Sequence, residues 1–147
     1  MKNILLILIT LSASAFADVI KDDPCKSPKS STGIQMMRIM EDQLGMGILI
    51  DTVDQSATTT ELIANTKVSD RLASQFARES YRKSPDDWLS VKDYKKIYSE
   101  DDARNLIIKF HYYNKDKKEN IFLVSALANK YECGVRFNGY IVVKREF

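Results

Sequence analysis

His111 is the chain's single histidine, so any mechanism that needs an imidazole must run through it. It stands in Lys109-Phe110-His111-Tyr112-Tyr113, beside a charged turn. A Ser–His–Asp arrangement needs such a base. On a strand, however, His111 would share a face with Lys109 and Tyr113, the setting of a partly exposed sheet residue. Carboxylates cluster at Asp22-Asp23, Glu41-Asp42, Asp86-Asp87 and Glu100-Asp101-Asp102. A glycosidase needs two carboxyls held at a defined separation across a cleft, which neighbours in sequence do not supply. Two of these clusters stand where helix starts favour negative charge. The chain has no Gly-rich phosphate loop and no G-x-S-x-G turn. Two distant cysteines and one histidine do not form a metal-ligand set. The sequence therefore predicts no catalytic residues, no metal site and no cofactor, and a chain that is not an enzyme.

The remaining candidates for function are apolar and aromatic. Tyr81, Trp88, Tyr94 and Tyr98 fall close together among Lys and Arg. Exposed aromatics with basic neighbours make interface hot spots, so these four and His111 are the candidate partner-binding residues. Packing against a sheet is the competing role for the same aromatics. Met36, Met37, Met40 and Met46 recur near helical spacing, which describes a core stripe, although methionine-rich faces also adapt to partners.

The N-terminus has the three-part layout of a secretory signal. Lys2 supplies positive charge, residues 4–11 are apolar apart from Thr10, and Ala15-Phe16-Ala17 is a small-x-small cleavage site. Residues 1–17 are read as a signal peptide, with one α+β domain over 18–147. The apolar run is shorter than the ~20 residues of a membrane-spanning helix, and no stable membrane insertion is expected. The compartment implied is periplasmic, with extracellular release as the alternative. In an oxidising compartment an even cysteine count reads as a disulfide, here Cys25–Cys133. Two separate buried thiols are the competing state. Lys and Arg number 22 and Asp and Glu 20, interspersed along the chain. That near-balance gives nucleic acid no electrostatic footprint.

Residues 18–32, with Pro24 and Pro28, read as an irregular arm pinned by Cys25. Helical spacing follows over about 33–44. Thr58-x-x-Glu61 has the form of a capping box and predicts a short helix over 59–66. Ser69 and Asp70 open the next helix, which ends near Ser84, with Val68, Leu72, Phe76 and Tyr81 toward the core. Ser84-Pro85-Asp86-Asp87 predicts another helix start. Residues 106–113 and 121–127 read as two strands around a polar turn. Asn138-Gly139 between apolar runs predicts a tight hairpin, with Cys133 on its first strand. Lys144 and Arg145 would blunt the terminal edge strand. Residues 46–53, 88–98 and 103–113 stay open between helix and strand; β-branched and aromatic content favours strand for the last. The expected architecture is α+β, N-terminal helices packed on a three- to four-stranded antiparallel C-terminal sheet with one disulfide.

This layout resembles the small periplasmic immunity proteins of the colicin M immunity type. The resemblance rests on an export signal, an early cysteine in Asp23-Pro24-Cys25, and a late one in Tyr131-Glu132-Cys133 with Tyr140 following. It implies a protein that binds and neutralises a cell-wall-targeting toxin. The alternatives are a secreted or surface-associated interaction or colonisation factor, and a small hydrolase or ligand-binding module built on His111.

Overall fold

A computed structural model describes residues 23–46, 52–85 and 87–147. The signal over 1–17, most of the ambiguous run over 46–53, and Asp86 lie outside the described residues. A 3-10 turn at Pro24–Lys26 precedes α1 (Ser31–Asp42). Then come β1 (Thr59–Lys67), α2 (Asp70–Lys83), α3 (Val91–Ser99), β2 (Arg104–Tyr113), β3 (Glu119–Ala128) and β4 (Arg136–Lys144). The strands form one antiparallel sheet in the order β1-β2-β3-β4. The α+β class holds, with four strands. The order of elements differs from expectation, because β1 precedes α2 and α3.

The sheet has a packed inner face and a half-open outer one. In β2, Leu106, Ile108, Phe110 and Tyr112 are fully buried. They stand opposite Ala126, Val124, Phe122 and Asn120 of β3. This alternation is what an antiparallel sheet with one covered face requires. Met36, Ile39 and Met40 of α1 belong to the same buried cluster as Met46, so these methionines are core. Met37 is only partly buried against it. Ser30 caps α1 by accepting from the Gly33 N–H. A methyl group at Gly33 would sit 2.2 Å from the Pro28 carbonyl oxygen, so only glycine lets the arm lie this close.

The arm is ordered by its partners. Cys25 and Cys133 form the expected disulfide, with Cα atoms 4.9 Å apart. The buried Thr32 hydroxyl donates to the Cys133 carbonyl at 2.7 Å. Asp23 accepts from the Cys25 N–H and from the Asn65 side chain on β1. Cys133 itself is not on a strand: it lies in the connection between β3 and β4.

A second, smaller core joins α2 and α3 to the sheet's end. Ala73 and Ala77 are fully buried with Val68, Tyr98, Ala103 and Leu127. Ser69 caps α2 as predicted. Leu72 and Phe76 are partly buried against this cluster, whereas Tyr81 is exposed. The Arg136 guanidinium lies 4.1 Å from the Phe76 ring centre and bonds Glu79 at 2.9 Å. Cation–π contact and a partly buried ion pair thus tie the start of β4 to α2.

Three local signals are overruled. Thr58-x-x-Glu61 opens strand β1, not a helix. The Thr58 hydroxyl bonds the Asp54 carbonyl instead of capping. Pairing along β2 outweighs the motif, with a register shift at Ile63. Ser84-Pro85 does not start a helix. The start falls at Ser90, where Ser90 and Asp93 form a reciprocal capping box, and residues 91–99 are helical. Asn138-Gly139 lies inside β4 and makes no hairpin. The Asn138 side chain bonds Ser125 and Asn105 across the sheet. Gly139, at φ 149°, sits opposite Ser125 where the register shifts, which is the signature of a β-bulge.

The 108-residue separation of the cysteines predicts the size of the staple. Replacing both cysteines by serine should cost about 4–5 kcal/mol of unfolding free energy in urea titrations, on the chain-entropy model. A loss under ~1 kcal/mol would mean that the arm's polar contacts suffice without the bond.

Candidate functional site

The four aromatics of the α2–α3 region separate into support and display. Tyr98 is buried, and its hydroxyl shares a 2.9 Å hydrogen bond with Ser80. Tyr94 stacks on it at 6.0 Å between ring centres. The Tyr94 hydroxyl donates to Asp87 at 2.7 Å. That carboxylate pushes the phenol's pKa up to about 12. The other Asp87 oxygen accepts from the Trp88 N–H at 2.8 Å. One carboxylate therefore couples the α3 aromatics to the backbone that presents Trp88. The Trp88 side chain is 88% exposed. An aromatic of this size outside any core is the kind of group that anchors an interface. Tyr81 is exposed near the end of α2.

Trp88 lines a groove of about 460 Å³. Leu89 and Ile97 supply further apolar wall, and Asp93, Lys96, Glu100 and Asp101 the polar part. Asp93 is held down by the Ser90 hydroxyl and N–H, which lower its pKa. Lys130 bonds Asp101 at 3.1 Å and lies 4.6 Å from the ring centre of Tyr131, a residue 75% exposed. Asp101 and Asp102 both have left-handed backbone, with φ 57° and 56°, in the tight link from α3 to β2. Leu89, Ile97 and Tyr131 were not among the residues singled out from sequence. The Ser90-x-x-Asp93 capping box is the signal that would have placed Trp88-Leu89 on the loop before a helix.

His111 belongs to a different surface. It lies seven residues along β2 from the Arg104 end, roughly 23 Å at strand rise. On the sheet's outer face its Nδ1 lies 2.7 Å from Glu119 Oε1. The Tyr113 hydroxyl donates to the same oxygen at 2.8 Å, and Lys144 donates to the other at 3.1 Å. These hydrogen bonds, His111's first, lower the Glu119 carboxyl to about 2. Glu119 also donates its N–H to Glu146, and Asn120, fully buried, clasps the backbone of Glu146 and Phe147. The cluster thus braces β2, β3 and β4 against the segment after β4. Among the described residues no group of three His, Cys, Asp or Glu could hold a metal ion. No helix among them is long and apolar enough to cross a membrane.

The geometry defines a disulfide-tied α+β chain with an outward-facing tryptophan whose backbone N–H is held by Asp87. No family model matches it, and no curated protein or solved structure matches it either.

Glu119 sets a pH dependence. A carboxyl whose folded pKa lies below its ordinary 4.5 lends stability that is complete above that value and is lost as pH falls toward about 2. Urea midpoints measured over that window should fall less steeply for Glu119→Gln than for the native chain. Asp54, Glu79, Asp93 and Glu146, also lowered, keep some slope. Equal slopes would show that the His111–Tyr113–Lys144 cluster does not favour the ionised form.

Proposed function

We propose that this chain is an exported protein that binds and neutralises another protein, acting as a periplasmic immunity protein or inhibitor of a cell-wall-targeting toxin. The observation that carries the binding role is Trp88, displayed on a loop whose backbone is held through Asp87 and Tyr94. Fixing an anchor before contact lowers the ordering cost of association. The export layout and the Cys25–Cys133 bond suit work outside the inner membrane.

The groove beside Trp88 suggests the partner's chemistry. Lys96 stands against Glu100 and Lys130 against Asp101, which leaves Asp93 as the excess charge next to Leu89 and Ile97. A partner face carrying an apolar residue ringed by Lys or Arg would complement that pattern. The resemblance to immunity proteins of the colicin M type points to a toxin as that partner.

The test is whether the purified chain forms a complex with any secreted effector found to be encoded beside it. Trp88→Ala should weaken binding at least about tenfold while leaving the melting temperature unchanged. Raising salt should slow association. Cells lacking the protein should become sensitive to that effector. Full resistance after deletion, with no complex formed by the purified chain, would overturn the proposal.

A further inference from the structure

Helical phase gives α2 two unlike sides. Ala73 and Ala77 turn into the smaller core and are fully buried. Arg71, Gln75, Arg78 and Arg82 recur at i, i+4, i+7 and i+11, which places them in one row on the opposite side of the helix. All four are exposed. At about 100° per residue the row is about 60° wide, and at helix rise Arg71 and Arg82 stand roughly 16 Å apart.

The charge of this row is uncompensated. The acids of α2, Asp70 and Glu79, are both engaged on other elements: Asp70 pairs Lys95 of α3 at 2.6 Å, and Glu79 pairs Arg136 of β4 at 2.9 Å. Gln75 also donates to Glu79, at 3.0 Å. Elsewhere on the surface Arg104, Lys130 and Lys144 each meet a carboxylate. Among the described residues Arg71, Arg78 and Arg82 have no ion-pair partner. Arginine stays charged at every physiological pH, and its planar fork matches phosphate oxygens. Tyr81, beside Arg82 in the chain and three residues past Arg78, is exposed, an apolar ring with a polar tip.

We propose that this face of α2 docks on an anionic lipid bilayer, with the three arginines on headgroup phosphates and Tyr81 at headgroup level. Charge complementarity selects the partner: a straight row of cations meets a plane of phosphates along its whole length. Tyrosine favours the membrane–water boundary for its amphipathic ring. The centre of a protein interface is depleted in charge, whereas this row is charged from end to end. A single-stranded nucleic acid would call for a succession of stacking rings, and the row has one at its edge. No described helix is long and apolar enough to cross a bilayer, so the contact is peripheral. Of the proposed function it draws on export alone, which brings the chain to a bilayer, and the binding role of Trp88 plays no part in it.

The probes are vesicles of phosphatidylcholine alone and of phosphatidylcholine mixed with phosphatidylglycerol, sedimented with the purified disulfide-bonded protein. At about fivefold per arginine, the row should favour the anionic vesicles about a hundredfold. Raising salt should erase that preference. Arg71→Gln, Arg78→Gln and Arg82→Gln together should bring binding to within a few-fold of the neutral vesicles, with the melting temperature unchanged because all three side chains are exposed. Lys115→Gln, Lys117→Gln and Lys118→Gln together remove the same charge from the turn between β2 and β3, and should leave the preference intact. No protein partner is present, so the outcome does not turn on Trp88. Equal binding of the native chain to both vesicles, a preference that survives the arginine changes, one that the lysine changes abolish as well, or tighter binding to a single-stranded oligonucleotide than to the anionic vesicles would each overturn the proposal.

Discussion

The connection between β3 and β4, residues 129–135, is the constraint on which the rest of the molecule hangs. Its first residue, Asn129, folds it locally by accepting the N–H groups of Tyr131 and Glu132. Cys133 then bonds Cys25, and its carbonyl takes the Thr32 hydroxyl, so the arm and α1 are fastened to the sheet at one point. Three residues on, Arg136 inserts against Phe76 and Glu79 and fastens α2. Lys130 reaches Asp101 and holds the link from α3. This loop of seven residues, with the strand residue Arg136 that follows it, thus anchors elements on both sides of the sheet. A covalent bond suits this point because the arm before α1 has little apolar surface of its own, with Cys25 its buried residue.

The parts of the fold legible in the sequence are those where local preference and tertiary need agree. Residues 104–113 and 119–128 are rich in branched and aromatic side chains and lie at the sheet's centre, where alternation and burial reinforce each other. Ser69 before an acidic first turn reads correctly for the same reason. The misread segments are those where a short motif competes with pairing from far along the chain. Asn138-Gly139 has strong turn chemistry, yet Asn138 finds better partners in Ser125 and Asn105. Its glycine serves as a bulge in an edge strand. Thr58-x-x-Glu61 loses to eight paired positions along β2. These outcomes depend on where the sheet lies, and no window of a few residues contains that.

The candidate surface was legible only in part. Aromatic density marks residues 81–98, but density does not say which rings face inward. Helical phase does. Tyr94 and Tyr98 are one turn apart on α3, and both turn toward Ala73 and Ala77, small residues that admit a ring between the helices. Trp88 precedes the Ser90 cap, so helical phase does not govern it, and the Asp87 carboxylate aims its backbone instead. The orphan hydroxyl of Tyr112 was invisible from sequence, since a tyrosine in an apolar strand gives no sign of whether its oxygen finds a partner.

The displayed tryptophan and the core place different demands on rigidity. A displayed tryptophan binds a partner well only if its loop is already ordered, and here order comes from polar contacts at the surface: Asp87 to Tyr94, Ser90 to Asp93, Ser80 to Tyr98. Tyr112 is held instead by aromatic packing in the deepest layer of the core, which cannot adjust to pair its hydroxyl.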